Sequence, residues 1–495
     1  MELNNADLKY FTSKGISIKD VETQISLLKK GTKYLNLARP ARLIDGIIRI
    51  NPSTLNNLDY SKLIQQKSIT KFTPASGAAS RMFKDLYRFL DDNEETEFIH
   101  KFISNLENFA FYDDLKEILR TNNFEITELL ESKDYSTIIE FLIEGKGLSY
   151  GLLPKALLKF HRTDTEVLNP IKEHLKEAIA YCGKHPKVSF TISEQFKNIF
   201  DSEIQKSINE LKHNLEYQLS YQKTDTDTVA VDLEYNLVES NPNEYLIRPG
   251  GHGALIENLN DIDSDIIFLK NIDNVCSDTY FSETVKYKKA LVSILLSKQE
   301  QIYNFARKVA KYDGKDSKFN NEIKTFLEEE LNIFSSELCK MEATEKANFF
   351  REKLNRPLRI CGMVKNEGEP GGGPFWVKDE QGTVALQIVE SLQIDHNKPD
   401  QEVIFSESTH FNPVDIVCST KDVNGKKFDF TKFVDKDAVF VTEKTFRGES
   451  ILALEHPGLW NGGMGNWNSI FVEVSPETFN PVKTVNDLLK KTHQL

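Results

Sequence analysis

Lys71-Phe72-Thr73-Pro74-Ala75-Ser76-Gly77-Ala78-Ala79-Ser80-Arg81-Met82-Phe83-Lys84, or KFTPASGAASRMFK, packs small side chains into a turn and sets an arginine and a lysine just beyond it. Two readings fit the string. Backbone N–H groups that point one way at the head of a helix make an anion site, and small side chains let a phosphate approach. The same string is an ordinary helix start with Ser76 or Ser80 as its cap. The flanks bear on the choice: Ile69-Thr70-Lys71-Phe72-Thr73 reads as a short strand and Met82 to Leu90 as a helix, and strand, turn, helix is the setting of a phosphate loop.

Working outward, residues 1–66 read as a helical N-terminal extension, with Val21, Ile25 and Leu28 at helical spacing. A core over 67–435 alternates strands such as Lys187 to Ile192, Ile266 to Leu269 and Ile416 to Cys418 with helices such as Ile171 to Tyr181. That alternation predicts an α/β fold: a mixed, mostly parallel sheet flanked by helices. Charged, helix-periodic blocks at about 91–145 and 282–355 read as insertions. Residues 436–495 read as a C-terminal segment packed on the core, with Trp460 and Trp467 amid glycines.

The formal net charge of −13 argues against a broad nucleic-acid or acidic-membrane surface, so an anionic ligand must meet a local basic pocket. Five cysteines without a C-x-x-C pair suit a reducing compartment better than a disulfide framework, and structural zinc is not expected. MELNNADLKYF lacks the basic and apolar regions of a secretory signal, and no apolar run reaches the length of a membrane span. The expectation is a soluble, cytoplasmic protein.

In open α/β sheets ligands bind outside the carboxyl ends of the strands, so polar residues just after apolar strands carry the most weight. Asp273 in IIFLKNIDNV is placed to hold a divalent cation, and Asn412 and Asp415 in STHFNPVDIV to complete its oxygen ligands; each is equally a turn residue taken alone. Lys155 after Pro154 presents a point charge to a phosphate or ends an element in solvent. The turn Gly250-Gly251-His252-Gly253 lets backbone approach a flat ring or a ribose, or is a surface loop. Glu369, in a glycine-rich run, would accept from the hydroxyls of a polyhydroxyl ligand, or the run is a hairpin. There is no G-x-S-x-G elbow, H-E-x-x-H, Walker lysine or G-x-G-x-x-G after a strand.

In their order, these pieces resemble the nucleotide-diphospho-sugar transferase superfamily, most closely its UDP-sugar pyrophosphorylase branch. SGAASRM and LLPKALLKF look like that branch's glycine-rich loop and Pro-Lys element. SFTISEQ, SYQK around Gln222, RPGGHGAL, FLKNIDNV, ALQIVESLQI and THFNPVDIV follow in the branch's order. The whole chain also looks like a bacterial family of unknown function, DUF4301. The resemblance implies a glycosyltransferase-A-like nucleotidyltransferase core that makes an NDP-sugar, most closely a UDP-sugar, and pyrophosphate from a nucleoside triphosphate and a sugar 1-phosphate, with Mg2+. It implies that Arg81, Lys84 and Lys155 act on the phosphates. Ser76, Gly77, Ala78, Ala79 and Ser80 with Gln222, Gly250 and Gly251 would bind the nucleotide, and Glu369 and Glu390 the sugar. Asp273 with Asn412 or Asp415 would bind the metal.

Two departures stand out. Ala79 replaces a glycine, which would narrow the space for a triphosphate, and a long insert separates Arg81 from Lys155. Rival readings are a binder of nucleotides or nucleotide sugars that has lost catalysis, and a glycosyltransferase of the same fold.

Overall fold

The strand before the small-residue turn runs over Ile69–Pro74 in the computed structural model, which describes residues 5–50, 59–242, 244–368 and 372–494. Its first five residues are buried, as in a strand covered on both faces of a parallel sheet. The chain divides into two units. One comprises Ile64–Ser220, Leu269–Ala290 and Ser475–Leu495; the other comprises Met1–Leu63, Tyr221–Phe268 and Leu291–Val474.

In the first unit Ile69–Pro74 pairs in parallel with Lys187–Ile192, Thr70 opposite Lys187 and Pro74 opposite Thr191. Helices Pro170–Tyr181 and Lys197–Leu211 flank the Lys187–Ile192 strand in sequence, and Asn169 caps the first of them by accepting from Lys172 N. The block read as an insertion at 91–145 is helical, with helices Glu97–Ser104, Tyr112–Thr121, Ile126–Glu131 and Tyr135–Ile143. Phe102, Leu115, Leu119 and Leu142 from these helices share one buried apolar cluster with Ala79, Met82 and Phe83 of the turn. Burying such side chains, at about 1.5–3 kcal/mol each, fixes the turn to the helical block.

The second unit holds a sheet in the order Arg42–Leu43, Gly46–Arg49, Asn468–Glu473, Leu358–Lys365, Ile416–Ser419 and Ile266–Leu269. Its first three pairings are parallel, and the fourth is antiparallel, so the sheet is mixed and mostly parallel as expected. Two smaller antiparallel sheets complete the unit: Asn36–Pro40 with Gly373–Lys378, Thr383–Val389 and Ile333–Ser335, and Ile247–Arg248 with Thr228–Val231, Glu449–Glu455 and Phe440–Phe446.

Three expectations need correction. The N-terminal region is not helical throughout: beside the helices Asn5–Ser13, Ile18–Lys30 and Tyr60–Leu63, Asn36–Pro40 and Gly46–Arg49 are strands, because Pro40 and Gly46 break helical continuity and Leu37 and Ile47 are buried in sheets. Neither Ser76 nor Ser80 caps a helix: a 3-10 turn, Ala79–Arg81, intervenes, and the helix Lys84–Asp92 starts from Phe83 with no side-chain cap. The segment after 435 is part of the core rather than packed on it, since Asn468–Glu473 pairs with both Gly46–Arg49 and Leu358–Lys365 inside the sheet. The five cysteines are free, and among the described residues no helix is long and apolar enough to cross a membrane.

Candidate functional site

The small-residue turn is held at both ends. Ala75 N donates to Thr191 O at 2.7 Å, and Ala78 bridges Pro154: Ala79 N donates to Leu153 O at 3.0 Å and Lys155 N to Gly77 O at 3.3 Å. This pairing brings the Pro-Lys element to the turn across the helical insertion. It engages the N–H of Ala79, and the 3-10 turn engages that of Arg81, while those of Ser76, Gly77 and Ala78 donate to no backbone carbonyl among the described residues. A β-carbon on Gly77 would meet nothing within 4 Å, so the turn is open on that side. Ser76, Gly77, Ala78, Ser80, Arg81 and Lys84 are exposed, and among the described residues neither Arg81 nor Lys84 has an ion-pair partner. Consecutive open N–H groups with two free cations are what a phosphate needs.

Ala79 is different. It is wholly buried in the apolar cluster with Met82 and Phe83, so its methyl belongs to the core. The narrowing expected from the missing glycine therefore does not follow.

Lys155 opens the 3-10 turn Lys155–Leu157, and its Nζ lies 2.8 Å from Asp273 Oδ2 and 2.6 Å from Val482 O. The lysine and aspartate side chains are 15% and 20% exposed, enough for a ligand to reach the pair. Val482 N in turn donates to Asp273 O at 3.2 Å.

Behind Asp273 lies a buried network that sequence reasoning missed. Glu177 Oε2 accepts from Lys71 Nζ at 2.6 Å and its Oε1 from Lys270 Nζ at 2.7 Å, while His174 Nε2 sits 3.1 Å from Ile272 O. Helix Pro170–Tyr181 thus grips both flanks of the short link from Lys270 to Asp273. Burial opposes the charge on Glu177, yet Lys270 and Lys71 hold its carboxyl well below the usual range. Burial pulls Lys71 down to about 8 and, with Lys71 beside it, His174 well below the usual imidazole range. The signal for this network was a lysine, Lys71, in the middle of an apolar strand.

The donors expected for magnesium differ in what they can offer it. Asp273 offers one partly exposed carboxylate, which suits an ion that takes one or two carboxylates together with phosphates and waters. Asn412 does not fit: its Nδ2 donates to Gly362 O at 3.0 Å and its Oδ1 accepts from Val414 N at 3.1 Å. Asp415 does not fit either, being fully buried in the second unit beside Gly362. No cluster of three or more His, Cys, Asp or Glu side chains suited to a metal occurs among the described residues.

The remaining predicted residues belong to the second unit. Gln222 follows the Glu216–Tyr221 strand, and its buried Nε2 has no partner among the described residues. The glycine turn packs on protein: a β-carbon on Gly250 would come 2.3 Å from His456 Cδ2 and 2.4 Å from Thr226 O, and one on Gly253 would come 2.2 Å from Pro457 O. Gly251 has φ +77°, which glycine adopts without strain. His252 stacks on Trp460 with centroids 4.7 Å apart; burial lowers its pKa, against the pull of Glu390 and Glu455. Glu390 caps the turn Ser391–Gln393 in a reciprocal box with Gln393. Glu369 lies outside the described residues.

The family described as Domain of unknown function (DUF4301) matches residues 4–494. The chain belongs to DUF4301. This DUF4301 chain matches no curated protein. Among solved structures it is similar to the UDP-glucose pyrophosphorylase of Leishmania major, at 14% identity and a TM-score of 0.44, over 99% of this chain and 79% of that one. It is also similar to a UDP-glucose phosphorylase of Trypanosoma brucei, at 12% identity and a TM-score of 0.43, over 99% and 80%. The third is the uridine diphosphate N-acetylglucosamine pyrophosphorylase of Trypanosoma brucei, at 11% and 0.43, over 98% and 75%.

Proposed function

We propose that the protein is a nucleotidyltransferase that forms an NDP-sugar and pyrophosphate from a nucleoside triphosphate and a sugar 1-phosphate, with a uridine nucleotide as donor. The observation that carries this reading is the pairing of Gly77 to Ala79 with Leu153 to Lys155, which sets an ammonium beside a turn of open N–H groups. The ordered motifs of the sequence support it.

In this reading a phosphate oxygen of the sugar 1-phosphate attacks the α-phosphorus. The α–β bridging P–O bond breaks, and pyrophosphate leaves with its electron pair. The protein supplies position and charge rather than a nucleophile. The N–H groups of Ser76, Gly77 and Ala78, with Arg81 and Lys84, hold the leaving phosphates, and Lys155 offsets charge that grows in the transition state. Asp273 keeps that ammonium in place before substrate binds. A Mg2+ ion held by Asp273 and phosphate oxygens would add further neutralisation. Gln222 and Gly251 are assigned to the base, and Glu369 and Glu390 to the sugar, by the resemblance alone.

Pyrophosphate release is to be measured for UTP and the other triphosphates against a panel of sugar 1-phosphates with magnesium. Turnover with UTP and at least one sugar 1-phosphate is expected, reduced by about tenfold or more in the Arg81→Ala, Lys84→Ala double variant. No turnover with any pair would sink the reading. Thermal stabilisation by UTP without turnover, unaltered by Asp273→Asn, would favour a non-catalytic binder.

A further inference from the structure

Within the first unit, the C-terminal stretch Asn480-Pro481-Val482-Lys483-Thr484-Val485 touches three parts of the candidate site. Val482 O accepts from Lys155 Nζ at 2.6 Å, Val482 N donates to Asp273 O at 3.2 Å, and Val485 N donates at 3.1 Å to the carbonyl of Met82, the residue after Arg81. The side chains of Val482, Val485 and Leu488 are at most 1% exposed and share the apolar cluster of Ala79, Met82 and Phe83. This stretch is part of the frame of the site.

Its hold beside Asp273 comes from the next residue. Asn274 is 1% exposed; its Oδ1 accepts from Asn480 N at 2.8 Å, and Asn274 and Pro481 form an antiparallel bridge. Pro481, between Asn480 and Val482, has its φ fixed by its ring, so an anchor on Asn480 N also sets the direction of Val482 O.

That direction matters to Lys155. An ammonium has three N–H donors. Asp273 Oδ2 and Val482 O take two of them, at 2.8 and 2.6 Å, which leaves the third aimed away from both. Held by Asp273 alone, the ammonium would be free to turn about a single bond. A carbonyl orients it without cancelling its charge, whereas a second carboxylate in that place would leave little charge to offer a phosphate.

We infer that Asn274 is a positioning residue for nucleotidyl transfer: by clasping Asn480 N it holds Val482 O on the Lys155 ammonium, so that the remaining N–H points at the reacting phosphate. This role rests on the nucleotidyl-transfer reading, whereas the clasp itself does not.

Steady-state kinetics with UTP and the best sugar 1-phosphate is run on the full-length wild type, Asn274→Ala, Lys155→Met and the double variant. Asn274→Ala is expected to lower kcat by about 10- to 10²-fold, the cost of an ångström-scale misplacement, with both KM values unchanged. In the Lys155→Met background the same change is expected to cost nothing further, because two residues that act through one ammonium are not additive. Full additivity overturns the assignment. So does a raised KM for the sugar 1-phosphate at unchanged kcat, which would mean that Asn274 touches substrate itself.

A readout without turnover separates the clasp from the reaction. Acetylation of the ligand-free protein by a limiting N-hydroxysuccinimide ester, followed by mass spectrometry, is expected to label Lys155 several-fold faster in Asn274→Ala, because Val482 no longer covers the amine. Wholly buried Lys71 should stay unlabelled, which shows that the variant is folded. Equal labelling of Lys155 overturns the clasp. Faster labelling without any wild-type turnover overturns the catalytic role through failure of the reading, not of the clasp. A crystal structure of the wild-type protein soaked with UTP guards against a variant that does not fold: Lys155 bonded to Val482 O and to a phosphate oxygen supports the role, and Lys155 turned away from Val482, or phosphate bound elsewhere, overturns it.

Discussion

Lys155 and Asp273, 118 residues apart in sequence, meet at 2.8 Å, with Val482 O as the second acceptor of the same ammonium. The lysine is thereby fixed beside the turn that its own backbone N–H helps to hold. A cation already oriented at the reacting phosphates loses little freedom when they bind.

Lys155→Met is therefore expected to lower pyrophosphate release by about 10²- to 10³-fold, as removal of one aimed transition-state donor does. Asp273→Asn should also lower it, with less effect on nucleotide affinity, because Val482 O still holds the ammonium. Steady-state kinetics with UTP and the best sugar 1-phosphate checks both. A Lys155→Met enzyme with ordinary turnover would remove the lysine from the mechanism.

Gly250 was expected at the nucleotide, yet its missing side chain is explained by His456 and Thr226, which a β-carbon would meet at 2.3 and 2.4 Å. Gly250→Ala is expected to destabilise the ligand-free protein by about 1–3 kcal/mol, the range for overpacking. Thermal or urea unfolding measures it. Unchanged stability together with lost UTP binding would return Gly250 to nucleotide recognition.

The strand, the turn and the link ending in Asp273 were legible because each is local: apolar runs bounded by small or polar residues mark strand ends whatever the partner. The Asn36–Pro40 and Gly46–Arg49 strands were missed because short strands take their stability from partners distant in sequence, Gly373–Lys378 and Asn468–Glu473. Ala79 was misjudged for a related reason. Sequence shows that a methyl is present but not which way it points, and here it points into the Met82–Phe83 core. The Lys71–Glu177–Lys270 network and the engaged amide of Asn412 are tertiary facts that no local pattern records.

The C-terminal residues of the first unit carry a pH dependence. His161 Nδ1 lies 2.8 Å from Glu173 Oε1 and His161 Nε2 2.8 Å from His493 Nδ1, all three side chains being buried. Burial, with His161 alongside, pushes His493 down to about 3, whereas an unfolded histidine titrates near ~6.5. Between those values the unfolded chain binds a proton that the folded chain refuses, so stability rises with pH across the window and is lost as pH falls below about 6.5. Buried His174 acts in the same sense. His493→Asn, which keeps a donor near the Nδ1 position, should flatten the dependence of the urea midpoint over about pH 4–6.5. An identical slope in the variant would mean that His493 is already protonated in the fold.

Ala79 sets this turn apart from a glycine-rich loop. If the Ala79 methyl faced phosphate, Ala79→Gly would open the site and raise turnover. It is instead wholly buried among Met82, Phe83 and their neighbours, and the N–H of Ala79 is engaged by Leu153 O at 3.0 Å. Removing the methyl takes one buried carbon from the core and adds backbone freedom to the unfolded chain, each worth about 0.5–1 kcal/mol. Ala79→Gly is thus expected to lower stability by about 1–2 kcal/mol and to leave the KM for UTP unchanged. Unfolding and steady-state kinetics on the one variant separate the alternatives. A lower KM or faster turnover at unchanged stability would show that the methyl meets the triphosphate after all.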